Sequence, residues 1–329
     1  MPARPLVIAH RGASGYRPEH TAGAYELAIA LGADAIEPDL VPTRDGVLVV
    51  RHENEISGTT DVAKHPEFAD RRASKTIDGT AYTGWFTEDF TWSELATLRS
   101  RERLAKLRPG NARYDGKQGI LRLVDLVDLL LAAGRPLLMV AELKHATYFE
   151  SIGLPVAGAF AADIARWARP DNLVVESFEQ SVLGEVQNLD VPGRVTFLAE
   201  GSGAPADQVA RFGSGARSYA DHLTDAGLAR LAAEVDGVSV DKALLLARDD
   251  SGVVTGTTDL VTRARSSGLE TYTWTLRAEN QFLEKPFRRG VRARDLGHWE
   301  REFDLIMRTG VDGVFADQPD LALRARARL

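Results

Sequence analysis

Three histidines, four arginines and several carboxylates fall between His10 and Glu53, and His10, Arg11, Glu37, Asp39 and His52 stand where an apolar run gives way to polar residues. The stretch opens with His10-Arg11-Gly12 and passes through Pro18-Glu19-His20-Thr21. It continues with Ile36-Glu37-Pro38-Asp39 and Thr43-Arg44-Asp45-Gly46, and closes on His52-Glu53. Imidazole moves protons near neutral pH, guanidinium grips phosphate oxygens, and paired carboxylates hold divalent cations. Together these are the parts of phosphoryl chemistry.

His10 and His52 are the candidate acid and base. Glu37 and Asp39 lie two apart in a strand and so share a face. Glu142, followed by Lys144, adds a third carboxylate and a second phosphate cation beside Arg11. Three carboxylates in a partly dry site repel one another, and a divalent cation relieves the repulsion. The alternative is ion pairing to Arg11 and Lys144. Ca²⁺ and Mg²⁺ suit such oxygens equally well at this level. His20, His65, His145, His222 and His298 are read as structural or surface residues, and Glu19 as a brace of the first loop. Gly201-Ser-Gly203 lacks the third glycine and the helix start of a dinucleotide fingerprint.

These residues need elements to carry them. Leu6–Ala9 is a short apolar run of the kind found in buried parallel strands. A helix over 21–31, closed by Gly32, leads to a strand over 35–41 that Pro38 should make irregular. Asp45-Gly46 signals a tight turn, so 47–51 reads as a hairpin arm beside the main sheet. Residues 54–118 break the alternation. They are polar, too long for a plain loop, and contain a capping-box signal at Thr91-Trp-Ser-Glu94. Such an excursion commonly roofs an active site.

Helices then alternate with strands to the end. The main strands begin near residues 6, 35, 137, 173, 195, 237, 270 and 313. Eight strands alternating with helices predict a single (β/α)8 TIM barrel over 1–329, with a long insertion after the second strand at about 54–118. In that fold the functional end is the C-terminal end of the strands. His10-Arg11, Glu37, Asp39, Glu142 and Lys144 all fall there, with Ser177, Glu200, Asp241, Trp274 and Asp317 completing the rim.

Composition excludes several classes. A hydrophobic content of 44% over 329 residues suffices for a large core. A net charge of −7 argues against nonspecific nucleic-acid binding, the run Arg288, Arg289, Arg292, Arg294 being a local exception. With no cysteine, disulfides and thiolate metal sites are excluded. No apolar run approaches the ~18 residues of a membrane span. The start runs straight into a strand without a signal peptide. That fits either a cytoplasmic protein or a mature segment with an added Met.

The ordered string His10-Arg11-Gly12, Pro18-Glu19-His20-Thr21, Glu37-Pro38-Asp39, Thr43-Arg44-Asp45-Gly46, His52-Glu53 and Glu142-Leu-Lys144 resembles the glycerophosphodiester phosphodiesterases. The likeness continues through Ser177-Phe178, Trp274-Thr275 and Gly310-Val-Asp-Gly-Val-Phe, nearly the whole chain. The form of the first motif and an excursion containing Thr60-Asp-Val-Ala-Lys64 are similar to the periplasmic or secreted branch. Glu53 stands where the family often has Asp, and Leu276-Arg277 where Asn commonly follows Trp-Thr. The resemblance implies hydrolysis of glycerophosphocholine, glycerophosphoethanolamine and similar diesters to sn-glycerol 3-phosphate and an alcohol. It assigns His10 and His52 to acid–base work, Arg11 and Lys144 to the phosphate, and Glu37, Asp39 and Glu142 to one Ca²⁺ or Mg²⁺. Phe178 and Trp274 are candidate rim contacts for the leaving group. The expected partner is a small-molecule diester, with no nucleic acid and no stable membrane insertion, in an extracytoplasmic setting. Alternatives are exo-hydrolysis of glycerol-phosphate teichoic acid and a sphingomyelinase-D-like phospholipid lyase. A noncatalytic phosphodiester-binding barrel fits less well, since a binder needs no acid–base pair.

Overall fold

The computed structural model describes residues 4–329. Eight parallel strand positions pair in a closed ring. The first strand, Leu6–His10, pairs with the last, Gly313–Ala316, on one side and with Ala35–Glu37 on the other. From there the ring runs through Leu138–Leu143, Leu173–Ser177, Arg194–Ala199, Gly237–Asp241 and Glu270–Leu276, back to Gly313–Ala316. This is the expected (β/α)8 barrel, and its eight strands begin where the apolar runs begin.

Pro38 splits the second strand. Without an N–H to give to the ladder, it separates Ala35–Glu37 from Asp39–Pro42. The second piece still pairs with Leu138–Leu143 and also receives Leu48–Val50 as an antiparallel arm, with Leu40 opposite Val50 and Pro42 opposite Leu48. The Asp45-Gly46 turn therefore makes a hairpin beside the barrel, with Gly46 in the left-handed region that glycine tolerates.

The core has two compartments. Ile8, Ala35, Leu138, Val140, Val174, Tyr272 and Phe315 fill the barrel interior. A larger cluster packs the outer face of the strands against the helices. Strand side chains alternate, so residues two further along from the interior set point inward at the C-terminal end. By that rule Ile8 is followed by His10, Ala35 by Glu37, Val140 by Glu142, Val174 by Glu176, Tyr272 by Trp274 and Phe315 by Asp317. Apolar filling gives way to polar groups at one level.

Between the hairpin arm and the helix Leu123–Ala132, the chain forms an antiparallel hairpin (Ala73–Ile77 with Thr80–Gly84) and several short helical turns. The capping box signalled at Thr91 is present. Thr91 N–H donates to Glu94 Oε2 at 2.8 Å as the chain enters the helix Trp92–Leu95. This segment has its own anchors: Phe68, Phe86, Phe90, Leu95 and Leu98 are all buried. Phe90 meets Phe68 edge to face at 5.0 Å. Phe90→Ala is expected to cost about 3–5 kcal/mol, as for other buried aromatics, read as a lower urea midpoint. The periodic pattern did not announce the helices Ala206–Phe212 and Pro319–Arg326. The first buries no side chain, so it has no apolar stripe to read.

Candidate active site

Barrel register brings the polar ends of successive strands level. His10 lies opposite Glu37, Asp39 opposite Glu142, and Glu142 opposite Glu176. Above them opens a cavity of about 790 Å³. Its walls include His10, Arg11, Glu37, His52, Glu142, Lys144, Phe178 and Trp274 from the expected set. The cavity also takes in Glu176, which the sequence reading left out.

Carboxylate oxygens of Glu37, Glu142 and Glu176 converge to within 4.8 Å of one another. Asp39 stands beside this trio and is engaged differently. Its Oδ2 accepts His20 Nε2–H at 2.8 Å and lies 3.3 Å from Arg11 Nε, while Lys144 Nζ is 3.8 Å from Oδ1. Glu37 Oε2 accepts the Arg11 backbone N–H at 2.7 Å. Lys144 Nζ is 2.8 Å from Glu142 Oε1 but off the angle of a hydrogen bond. Asp39 Oδ1, Glu142 Oε1 and Glu176 Oε2 are thus buried with no hydrogen-bond donor.

The electrostatics follow from this crowding. Burial, with the charge of Asp39, pushes Glu37 well above the usual carboxylate range. Burial likewise takes Glu142 to about 8 against the pull of Lys144, and raises Glu176, to which the Glu142 charge adds. Asp39 goes the other way. Burial opposes ionisation, but the charge His52 carries when protonated, with the standing charges of Lys144 and Arg11, holds it well below its ordinary value. Three converging glutamates, with donorless oxygens on Glu142, Glu176 and the adjacent Asp39, are the donor set of a hard divalent cation, so the residues present fit Ca²⁺ or Mg²⁺. Glu37, Glu142 and Glu176 would hold it, with Asp39 alongside.

His10 and His52 share a construction. His10 Nδ1–H donates to Asp317 Oδ1 and His52 Nδ1–H to Glu53 Oε1, each at 2.6 Å. An ionised carboxylate only accepts, so the ring proton sits on Nδ1 and Nε2 is left with its lone pair. Burial of His10 and partial burial of His52, each with the charge of Arg11, lower the first to about 4 and the second to about 3. Both rings are therefore neutral at pH 7. The unfolded chain takes up these protons near pH 6.5 while the folded protein refuses them, so their stability contribution is whole above pH 6.5 and is lost as pH falls toward 4. Urea unfolding of the wild type and of His10→Gln from pH 7 to 4.5 should show the wild type losing more stability. Parallel curves would contradict the neutral-ring assignment.

The remaining expected residues have clear places. Arg11 is buried with φ 58°, a left-handed conformation that residues without special cause avoid. Phe178 and Trp274 meet edge to face at 5.9 Å on the cavity wall. His20 is wholly buried between Asp39 and Tyr25 Oη, a structural position with a direct hold on the acidic cluster. Arg103 and Arg108 from the insertion, unremarked in the sequence, reach Glu53 and Asp317 respectively.

The profile of the glycerophosphoryl diester phosphodiesterase family matches residues 10–321. The chain belongs to that family. It is accordingly an enzyme, a phosphodiesterase acting on glycerophosphodiesters. The Arabidopsis thaliana glycerophosphodiester phosphodiesterase GDPD6 is 31% identical over 336 aligned positions, covering 96% of this chain and 84% of the plant protein. A Treponema pallidum glycerophosphodiester phosphodiesterase is 24% identical across 97% of this chain and 91% of its own length. Among solved structures, a Silicibacter pomeroyi protein assigned to the same activity superposes with a TM-score of 0.71 at 22% identity, covering 100% of this chain and 95% of its own. An Oleispira antarctica phosphodiesterase, solved with the product sn-glycerol-3-phosphate, gives 0.63 at 18% identity, covering 98% and 96%. These two likenesses establish the shared barrel.

Proposed function

We propose that the enzyme hydrolyses glycerophosphocholine, glycerophosphoethanolamine and similar diesters to sn-glycerol 3-phosphate and an alcohol, with His10 and His52 dividing the proton transfers and a divalent cation at the glutamates. One observation carries this reading: two neutral imidazoles, each with its Nδ1–H bound to a carboxylate, line the cavity that also holds the converging glutamates. The cation, when bound, supplies charge that stabilises the phosphoryl oxygens and favours ionisation of a nearby hydroxyl.

The chain's own groups do the rest. Arg11 and Lys144 neutralise phosphate charge, the first as a planar fork and the second as a point charge. One Nε2 takes the proton from the glycerol hydroxyl next to the phosphate as that oxygen attacks phosphorus. The other ring takes up a proton at Nε2 as the anionic diester binds and returns it to the departing alcohol, and Asp317 or Glu53 stabilises the transient imidazolium. Reversing these roles lets water open the cyclic phosphate. Phe178 and Trp274 give the leaving alcohol an apolar wall. The first motif and the long insertion support an extracytoplasmic setting as part of the same proposal. No feature of the cavity favours the polymer-cleaving or lyase readings over this one, and no helix among the described residues is long and apolar enough to cross a membrane.

Glycerol-3-phosphate dehydrogenase coupled to hydrolysis of several glycerophosphodiesters, with and without Ca²⁺ or Mg²⁺, tests the proposal. Product is expected from more than one diester, and only with cation present. Equal rates without cation would contradict the cation's role.

A further inference from the structure

Behind each histidine stands a carboxylate, and behind each carboxylate stands an arginine of the insertion. Glu53, which accepts His52 Nδ1–H, also accepts Arg103 Nη1–H at 2.7 Å on Oε1 and Nη2–H at 2.5 Å on Oε2. Arg103 turns its other edge to Glu19, through Nε at 2.9 Å and Nη2 at 2.6 Å. Asp317, which accepts His10 Nδ1–H, receives Arg108 Nη2–H at 2.6 Å on its second oxygen, together with Arg277 Nε–H at 2.8 Å. Arg108 is in turn pinned by Glu279 at 2.7 Å and the Ser14 carbonyl at 3.1 Å. The two arginines are joined by one short turn, in which Arg108 N–H donates to Leu104 O.

We propose that Arg103 and Arg108 are positioning residues for the two histidines, so that the insertion completes the catalytic unit as well as roofing it. This rests on the assignment of His10 and His52 above. A lone carboxylate can rotate, offer either oxygen, or swing from the ring, and each movement frees the imidazole to change tautomer or tilt. At Glu53 the Arg103 guanidinium fork fixes the plane of the carboxylate, because two parallel N–H bonds permit only one orientation, while at Asp317 single bonds from Arg108 and Arg277 hold Oδ2 and leave Oδ1 to the His10 ring. With the carboxylate fixed, the ring proton stays on Nδ1 and Nε2 stays aimed. Stability explains the arrangement poorly. Largely buried ion pairs contribute little net stability, since desolvation offsets the attraction, and apolar packing would serve as well. Seven carboxylate and guanidinium groups arrayed behind two rings point to geometry.

A double-mutant cycle on the full-length, cation-loaded enzyme tests this. Arg103→Met is expected to lower kcat roughly 10- to 100-fold, the scale on which lost outer-shell partners usually act, with KM within about threefold of wild type. In a Glu53→Gln background the same change should add less than about threefold, because Arg103 acts through Glu53. Arg108→Met should behave likewise against Asp317→Asn. If Arg103→Met does not fold, Arg103→Lys keeps the charge without the fork and should still lose about tenfold in kcat. Losses that multiply in the double variant, a KM rise matching the kcat loss, or single variants within twofold of wild type would each overturn the proposal. His52→Ala keeps the two levels apart. Near-normal turnover there removes the histidine assignment itself, whereas an inactive His52→Ala beside multiplying losses removes only the role of the arginines.

Discussion

His52→Ala is expected to lower turnover by at least ~100-fold while leaving the fold and cation binding intact, the usual scale for losing an acid–base group. The residue is suited to a test of this kind. Its ring is 28% exposed and lies two residues past the end of the hairpin arm Leu48–Val50, so truncation opens no large void in the core. Its bond to Glu53 is its one side-chain hydrogen bond in the structure, and Glu53 keeps Arg103 when the ring is gone. Lost activity with an unchanged melting temperature would therefore report chemistry. His10 is a harsher site, being 7% exposed and tied to the buried Asp317, and its alanine variant should lose stability as well as turnover.

The second large effect concerns the glutamates. Chelation with EDTA is expected to abolish activity, and restored Ca²⁺ or Mg²⁺ to recover it. Glu142→Gln should act as a permanent partial chelation, because a neutral amide replaces one of three converging carboxylates and leaves an N–H₂ facing Glu37 and Glu176. Stability gives an independent readout. A cation that binds only the folded protein adds about 2.7 kcal/mol at a hundredfold excess over its Kd, so Tm should rise on loading the wild type and rise less for Glu142→Gln. Full activity in EDTA with no change in Tm on loading would contradict the cation site. Glu176→Gln discriminates further. If the trio of short oxygen distances is the cation site, its loss should weaken loading as Glu142→Gln does.

Much of this site can be read from the chain because barrels write their function at a known place. An apolar strand that ends in His10-Arg11, Glu37 or Glu142-Leu-Lys144 announces polar groups at the C-terminal rim, and Pro38 announces a break in its strand. Glu176 escaped for a physical reason. It lies inside the apolar run Leu173-Val-Val-Glu-Ser177 without a polar neighbour before it, and only the inward phase shared with Val174 marks it as lining the site. Asp39 shows the converse. Its spacing from Glu37 puts both on one face of an ideal strand, but the break at Pro38 and the buried His20 give it partners that spacing cannot reveal. Arg103 and Arg108 were illegible because their partners lie far along the chain, Asp317 above all, and an arginine in a polar loop reads as a solvated charge until the fold brings a carboxylate to it.

The most direct measurement is phosphorus NMR of glycerophosphocholine turned over by the cation-loaded enzyme, with choline measured in the same sample. The account predicts that sn-glycerol 3-phosphate and choline appear in equal amounts, that His52→Ala forms neither at a comparable rate, and that EDTA stops both. Phosphocholine with free glycerol would show cleavage on the other side of phosphorus and contradict the account, as would a steady product yield from the His52→Ala enzyme.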